Sequence, residues 1–87
     1  MKIKSGFVLR SVGGENIVVP VGEMSKQFHG MINLNDSGAF LWRLFSRGCT
    51  VDEAVKAVKE EYGVEDAVAR QDVEKFVAVL EESGFVD

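Results

Sequence analysis

Residues 32–42 read INLNDSGAFLW, and within this short stretch the sequence changes from a strand pattern to a helix pattern. Ile32 and Leu34 alternate with their neighbours at the period of two that is typical of a half-buried strand. Either Asn35 or Asp36 then offers a side-chain oxygen to the free amides at the start of a helix. The stretch therefore predicts a strand that leads directly into a helix, and this junction fixes the position of the strand.

The helix that follows carries large apolar side chains on consecutive turns. Phe40, Trp42 and Phe45 lie close together in the sequence, with leucines at positions 41 and 44. Side chains of this size contribute strongly to core packing. We therefore expect this helix at the centre of the domain, with Trp42 in the core rather than on a ligand-binding surface.

The chain before the junction predicts an antiparallel sheet. Two glycines separate the first two apolar segments, and glycine allows the positive φ that a tight hairpin turn needs. The predicted elements are a strand at residues 7–12, a turn at 13–16, a strand at 17–21, a polar loop at 22–27 and a strand at 28–34. Pro20 cannot donate to a strand ladder, so we expect its amide side to face solvent, a bulge or the strand end.

Three helices are predicted after the sheet. The first runs over residues 36–46 and stops near Gly48, a candidate left-handed C-cap. Thr50 and Glu53 have the spacing of a capping box, which begins the second helix, and Gly63 ends it.

The third predicted helix begins near Glu65 or Asp66 and closes at Gly84. Phe85 and Val86 follow it and are expected to fold back on the last turn as an apolar cap contact. The sequence thus predicts a single α+β domain over residues 1–87, a three-stranded antiparallel sheet followed by three helices, similar to a winged helix-turn-helix.

The charge distribution argues against DNA binding. The net charge is −4, with six basic and three acidic side chains in residues 1–50 but two basic and seven acidic ones in residues 65–87. In a helix-turn-helix interpretation the last helix would enter a DNA groove, where phosphates would repel it. A winged-helix DNA-binding transcription regulator is therefore the less favoured alternative, and we expect no nucleic acid partner.

Residue types that carry catalysis are few and scattered. His29 is the single histidine and Cys49 the single cysteine, and neither has a catalytic partner beside it in the sequence. Acidic pairs at adjacent helical positions point in different directions, so solvated faces and helix caps explain them. We therefore expect no catalytic site, no metal and no cofactor.

Targeting signals are not evident in the sequence. No apolar run approaches the roughly 20 residues of a membrane span, and the first residues lack the apolar core of a signal peptide. We expect a cytoplasmic protein without a membrane partner.

The outer edge of the third predicted strand is a candidate binding site. Unpaired backbone groups at a sheet edge can accept an extended peptide as an additional strand. The candidate residues are Met31, Ile32, Asn33 and Leu34 on the strand, and Val68, Gln71, Asp72, Lys75 and Val79 on the neighbouring face of the last helix. The alternative is a capped edge or one that pairs with a second copy of the chain in a homodimer.

Several groups of residues resemble the motifs of the PqqD-like family. Residues 34–42, LNDSGAFLW, match the family pattern LN-x-[ST]-[GA]-x-x-[IL]-W, and the first seven of residues 48–55, GCTVDEAV, match G-x-TV-x-E-[IAV]. The remaining matches are Tyr62, Asp72, Val73, Phe76, Leu80, Gly84, Phe85 and Val86.

This resemblance implies a small non-catalytic peptide chaperone, the recognition element for ribosomally synthesised precursor peptides. Members of the family bind the leader segment of the precursor as an added strand on strand three, packed against helix three. They present the rest of the peptide to a modifying enzyme, often a radical S-adenosylmethionine maturase. Carried onto this chain, the resemblance assigns backbone pairing to residues 31–34 and side-chain pockets to the last helix.

The sequence departs from the pyrroloquinoline quinone member at two places. The proline-containing segment after strand two is matched only loosely by residues 19–23, and the Asp-Gly expected after helix one is Arg47-Gly48. We therefore expect a paralogue that serves another modified peptide.

Overall fold

The computed structural model describes residues 1–28 and 31–86. Its elements in chain order are β1 (Phe7–Val12), β2 (Glu15–Pro20), α1 (Met24–Gln27), β3 (Ile32–Leu34), α2 (Asp36–Arg47), α3 (Val51–Tyr62) and α4 (Asp66–Glu82). The α+β class and the three-stranded antiparallel sheet are confirmed, and winged helix describes the arrangement only loosely. Within the described ranges, no helix combines the length and apolarity that crossing a membrane requires.

The sheet has the strand order β1-β2-β3, and both ladders are antiparallel. Its first turn is shorter than predicted, because Glu15 already pairs with Val12 and only Gly13 and Gly14 remain between the strands. Both glycines have positive φ, +57° and +83°, as a two-residue hairpin turn requires. Pro20 lies at the end of β2, one of the positions expected for it.

The segment between β2 and β3 differs from the prediction. The expected polar loop contains the one-turn helix α1, and Phe28 donates its backbone N–H to the Met24 carbonyl at 3.0 Å instead of belonging to a strand. A turn of local hydrogen bonds satisfies the backbone of this polar segment. Among the described residues the third strand is therefore Ile32–Leu34, shorter than the predicted 28–34. His29 and Gly30 lie outside the described residues.

The core lies between the inner face of the sheet and the helices. α2 is central, as predicted, and Phe45 and Trp42 are almost completely buried, with Trp42 4% exposed. The inner face of the sheet contributes Phe7, Leu9, Val18, Ile32 and Leu34, and α3 and α4 contribute Ala54, Val55, Val58, Ala69, Val73, Val77 and Leu80. Burial of these side chains supplies the main favourable contribution to folding.

Side-chain caps fix where the helices begin. Asn35 is the N-cap of α2, and its Oδ1 accepts from the Gly38 backbone N–H at 2.8 Å. Thr50 and Glu53 form the predicted capping box at the start of α3. The Glu53 N–H donates to Thr50 Oγ1 at 3.1 Å, and the Thr50 N–H donates to Glu53 Oε1 at 2.8 Å. These caps satisfy backbone donors that a helix start leaves free.

The helix ends follow two different geometries. Gly63 ends α3 in the left-handed conformation, and after α4 Phe85 donates to Leu80 while Gly84 donates to Glu81, which is the predicted fold-back cap. Gly48 does not form the expected left-handed cap, since its φ is +89° but its ψ is 122°. This extended ψ directs the chain toward the N-terminus, where Cys49 N–H donates to the Met1 carbonyl at 3.0 Å.

The segment before β1 closes the domain. Ile3 forms an antiparallel bridge with Val86, and its N–H donates to the Phe45 carbonyl at 3.0 Å. Ile3, Phe85 and Val86 are all buried. The first residues of the chain thus cover the end of α2 and hold the fold-back after α4 against the core.

Replacing Asn35 by alanine should destabilise the fold by about 1 kcal/mol, because the Gly38 amide loses its acceptor. Urea denaturation followed by circular dichroism measures this as a lower transition midpoint with an unchanged slope. Asn33→Ala is the matched control, since that side chain is exposed and its change should stay within about 0.5 kcal/mol. Equal losses for the two variants would contradict the capping role.

Candidate functional site

The hydrogen-bonding direction of each β2 residue follows from the ladder with β1. Val21 N–H donates to the Gly6 carbonyl at 2.8 Å, so residue 21 points its backbone toward β1. Opposed residues in an antiparallel pair alternate between hydrogen-bonded and non-hydrogen-bonded positions. Val19 and Ile17 therefore also point toward β1, whereas Val18 and Asn16 point toward β3.

The free edge of the sheet at β3 is centred on Asn33. Val18 opposes Ile32 and Asn16 opposes Leu34, so Ile32 and Leu34 direct their backbone groups toward β2. Asn33, between them, directs its N–H and C=O away from the sheet, and neither has a partner among the described residues. Asn35 remains extended at φ −73° and ψ 177°, so its N–H points away from the sheet, in the same direction as that of Asn33.

One face of α4 runs beside this edge and carries exposed apolar side chains. At 100° per residue, Val68, Asp72, Lys75 and Val79 fall on one face, and Gln71 lies next to it. Val68 is 45% and Val79 44% exposed, in contrast with the buried Ala69, Val73, Val77 and Leu80 on the core side. α4 therefore has one apolar face that packs in the core and a second, mixed face on which Val68 and Val79 are exposed beside Asp72 and Lys75.

An apolar depression of about 260 Å³ lies where β3 begins and α4 ends. It is lined by Phe7, Val18, Pro20, Phe28, Met31, Ile32, Ser83 and Phe85. The rings of Phe7, Phe28 and Phe85 contact one another, with centroids 4.7 Å apart for Phe7 and Phe85 and 5.0 Å for Phe7 and Phe28. Met31, 68% exposed, stands at its mouth.

A second, mixed depression of about 440 Å³ lies where β3 ends and α2 begins. It is lined by Asn35, Ser37, Leu41, Asp72, Lys75, Phe76 and Val79. Neither Asp72 nor Lys75 forms an ion pair with another described residue. Arg70, the other basic residue of α4, is bound to Asp52 of α3 at 3.1 Å, and this hydrogen bond raises its pKa. Lys75 is thus the cation of α4 that faces the depression.

The two depressions define a groove along the outer edge of β3, the β3–α4 groove. One is lined by Met31 and Ser83 and the other by Asn35 and Asp72, so α4 runs antiparallel to β3. From Asp72 to Ser83 the helix advances roughly 16 Å at 1.5 Å per residue. An extended peptide of about five residues spans this length.

The structure brings most of the candidate residues to this groove. Met31, Ile32, Asp72, Lys75 and Val79 line its two depressions. Asn33 contributes its outward backbone, whereas Leu34 is half-buried and points its backbone toward β2, so it supports the edge rather than offering hydrogen bonds. Val68 and Gln71 lie further toward the N-terminus of α4, outside the lining of both depressions.

The aromatic side of the groove is not evident in the sequence. Phe7, Phe28 and Phe85 come from a strand, a loop and the segment after α4, which are distant along the chain. The fold-back of Phe85 is readable as a cap signal, but its contact with the other two rings depends on the tertiary fold. No local spacing identifies this aromatic surface.

Cys49 has the environment of a structural thiol. Partial burial, and next the carboxylate of Glu53, raise the pKa of Cys49, so the unreactive protonated form prevails at neutral pH. In the described part of the chain, no group of three or more His, Cys, Asp and Glu side chains is arranged to hold a metal ion.

The family assignment follows from comparison with known families. The family model described as coenzyme PQQ synthesis protein D matches residues 8–86. The chain belongs to the PqqD family. This match confirms the resemblance seen in the motifs, and it also includes the two N-terminal strands that the motifs leave out. A comparison with curated protein sequences found no match.

Two solved structures share the fold of this PqqD-family chain. TbiB1 in complex with the TbiA(beta) leader peptide is 23% identical with a TM-score of 0.80, covering 100% of this chain and 95% of that one. Lasso peptide synthetase B1 complexed with the leader peptide is 19% identical with a TM-score of 0.74, covering 95% of this chain and 92% of that one. Both likenesses extend over nearly the whole fold.

Native-state hydrogen exchange should distinguish the two directions of the β3 backbone. The amides of Ile32 and Leu34 should be protected because they face β2, whereas the Asn33 amide faces outward and should exchange much faster. Protection of the Asn33 amide equal to that of Leu34 in the free monomer would contradict the assigned alternation.

Proposed function

We propose that this chain binds the leader segment of a ribosomally synthesised precursor peptide as a fourth strand on β3. The observation that carries the proposal is the outward backbone of Asn33, on a strand whose two ends share depressions with Ser83 and with Asp72, Lys75 and Val79 of α4. Membership of the PqqD family supports it, as do structures of the same fold that contain leader peptides. Backbone pairing supplies affinity in this mode, and alternate side chains supply specificity.

The two depressions suggest what the leader must present. An added strand directs every second side chain toward the helical layer, at intervals of about 7 Å. The roughly 16 Å along α4 between Asp72 and Ser83 then separates the two inserted side chains by about four positions. A large apolar side chain fits the depression that contains Phe7, Phe28 and Phe85, and the other depression accepts a mixed polar and apolar one.

The role proposed for the chain is positioning rather than chemistry. Binding one end of the precursor fixes the rest of it near a modifying enzyme and raises its local concentration there. We propose a radical S-adenosylmethionine maturase as that enzyme and a peptide other than the pyrroloquinoline quinone precursor as the substrate. The departures from the family motifs at residues 19–23 and 47–48 motivate the proposal of a different substrate peptide.

Val79→Asp should weaken leader binding by about tenfold or more, because it places a carboxylate on the apolar wall of the groove. Isothermal titration with the leader of the precursor encoded in the same gene cluster measures the loss. Val12→Asp is the matched control, because Val12 is 57% exposed at the hairpin turn. The leader affinity of this variant should stay within about twofold of that of the unchanged chain.

Lys75→Glu should lower the affinity by about two- to fivefold, with the effect shrinking as salt is added, since this charge is exposed. Lys56→Glu on α3 is the control of equal charge change outside the lining of the groove. Unchanged affinity for both Val79→Asp and Lys75→Glu would place the peptide elsewhere on the chain.

A further inference from the structure

The sheet has a second free edge, at β1. The ladder with β2 directs the backbone of Val8, Arg10 and Val12 toward β2, in the same alternation that places Gly6 opposite Val21. The N–H and C=O groups of Phe7, Leu9 and Ser11 therefore point away from the sheet. The register runs from Phe7 to Val12 without interruption, and β1 contains no proline. β1 therefore has neither the proline nor the bulge that commonly blocks strand addition, although Arg10 places one charge on it.

A groove lies between this edge and α2, the β1–α2 groove. Its volume is about 640 Å³, and the buried Trp42 forms part of its floor. β1 contributes Phe7, Val8, Leu9 and Ser11, and α2 contributes Arg43, Ser46 and Arg47 as the wall. Phe7 also lines the aromatic depression of the β3–α4 groove. Like the β3–α4 groove, the β1–α2 groove combines a free strand edge, an apolar floor and a helical wall. The molecule thus presents two grooves at opposite edges of one sheet.

The charge of this second groove is different. Arg43 and Arg47 are exposed and form no ion pair with another described residue, and no acidic side chain lines the groove. In the β3–α4 groove, by contrast, Asp72 accompanies Lys75. An arginine pair beside unpaired backbone groups favours an extended ligand that carries carboxylates.

We propose that the β1–α2 groove binds an extended, carboxylate-bearing segment of a second protein, added as a strand to β1. A second copy of this chain fits less well, because most acidic side chains of the described residues lie in helices rather than in extended segments. Nucleic acid fits less well because α3 and α4 carry a strong excess of acidic residues. The proposal does not depend on leader binding.

This second site leaves the first one open. β2 separates the two edge strands, so β1 and β3 lie about 10 Å apart. A protein held at β1 and a peptide held at β3 can therefore be bound together, and the sheet joins them rigidly.

The full chain, labelled with ¹⁵N, tests the proposal by titration with a synthetic eight-residue peptide of alternating glutamate and valine. A peptide of alternating lysine and valine serves as the matched probe. The acidic peptide should shift the amides of Leu9 and Ser11 together with the side-chain resonances of Arg43 and Arg47, and the lysine peptide should not. Arg43→Glu should weaken acidic-peptide binding by about tenfold, and Lys56→Glu on α3 should leave it within about twofold.

Four results would overturn the proposal. The first is the absence of shifts at millimolar peptide, and the second is equal shifts with both peptides. The third is shifts of the acidic peptide confined to Asn33 and α4. The fourth is evidence for a different occupant of the groove. Light scattering would show this as a dimer that Arg43→Glu disrupts, and a titration would show it as a short DNA duplex that binds at β1 more tightly than the acidic peptide. Leader affinity, measured in parallel on Arg43→Glu, should be unchanged, so failure here is distinguishable from failure at β3.

Discussion

The corner at Asn35, where the chain passes from β3 into the central helix α2, is the constraint around which the rest of the fold is arranged, and the hydrogen bond from the Gly38 amide to the Asn35 side chain stabilises it. At this corner the chain changes from strand to helix within one residue of β3, and the Asn35 carbonyl accepts from the Ala39 N–H at 2.9 Å and begins the helical ladder. Asn16 of β2 reinforces the same corner, since its Nδ2 donates to the Asp36 carboxylate at 3.1 Å. The corner therefore fixes the sheet edge and the central helix together.

Fixing this corner also determines the surface that is left over. α2 packs Trp42 and Phe45 under the sheet, and α4 packs its Val73 and Leu80 face against them. With that face used, the Val68 and Val79 face of α4 remains exposed beside an edge strand whose outward backbone has no partner among the described residues. The β2–β3 register leaves the backbone of Asn33 facing outward, and the cap at Asn35 begins α2 directly after this free edge.

Much of this arrangement is readable from the sequence because its signals are local. The capping box at Thr50, a cap at Asn35 or Asp36 and the fold-back of Phe85 are short-range patterns, and the structure confirms all three, with Asn35 as the cap. The length of the third strand is wrong in the sequence prediction, since Phe28 suits a strand by its type but donates to α1 instead. The exposed face of α4 follows from helical periodicity, whereas the Phe7, Phe28 and Phe85 cluster depends on tertiary contacts that no local pattern encodes.

The most direct test of the account is the position of the bound leader relative to Asn33. An isotope-filtered NOE experiment on labelled chain with unlabelled leader detects contacts between the two backbones. Contacts are expected from the Asn33 amide and α-proton to the leader backbone, with further contacts from Val79 and Met31 to leader side chains. Leader contacts confined to α3, or to β1 with none at Asn33, would contradict it.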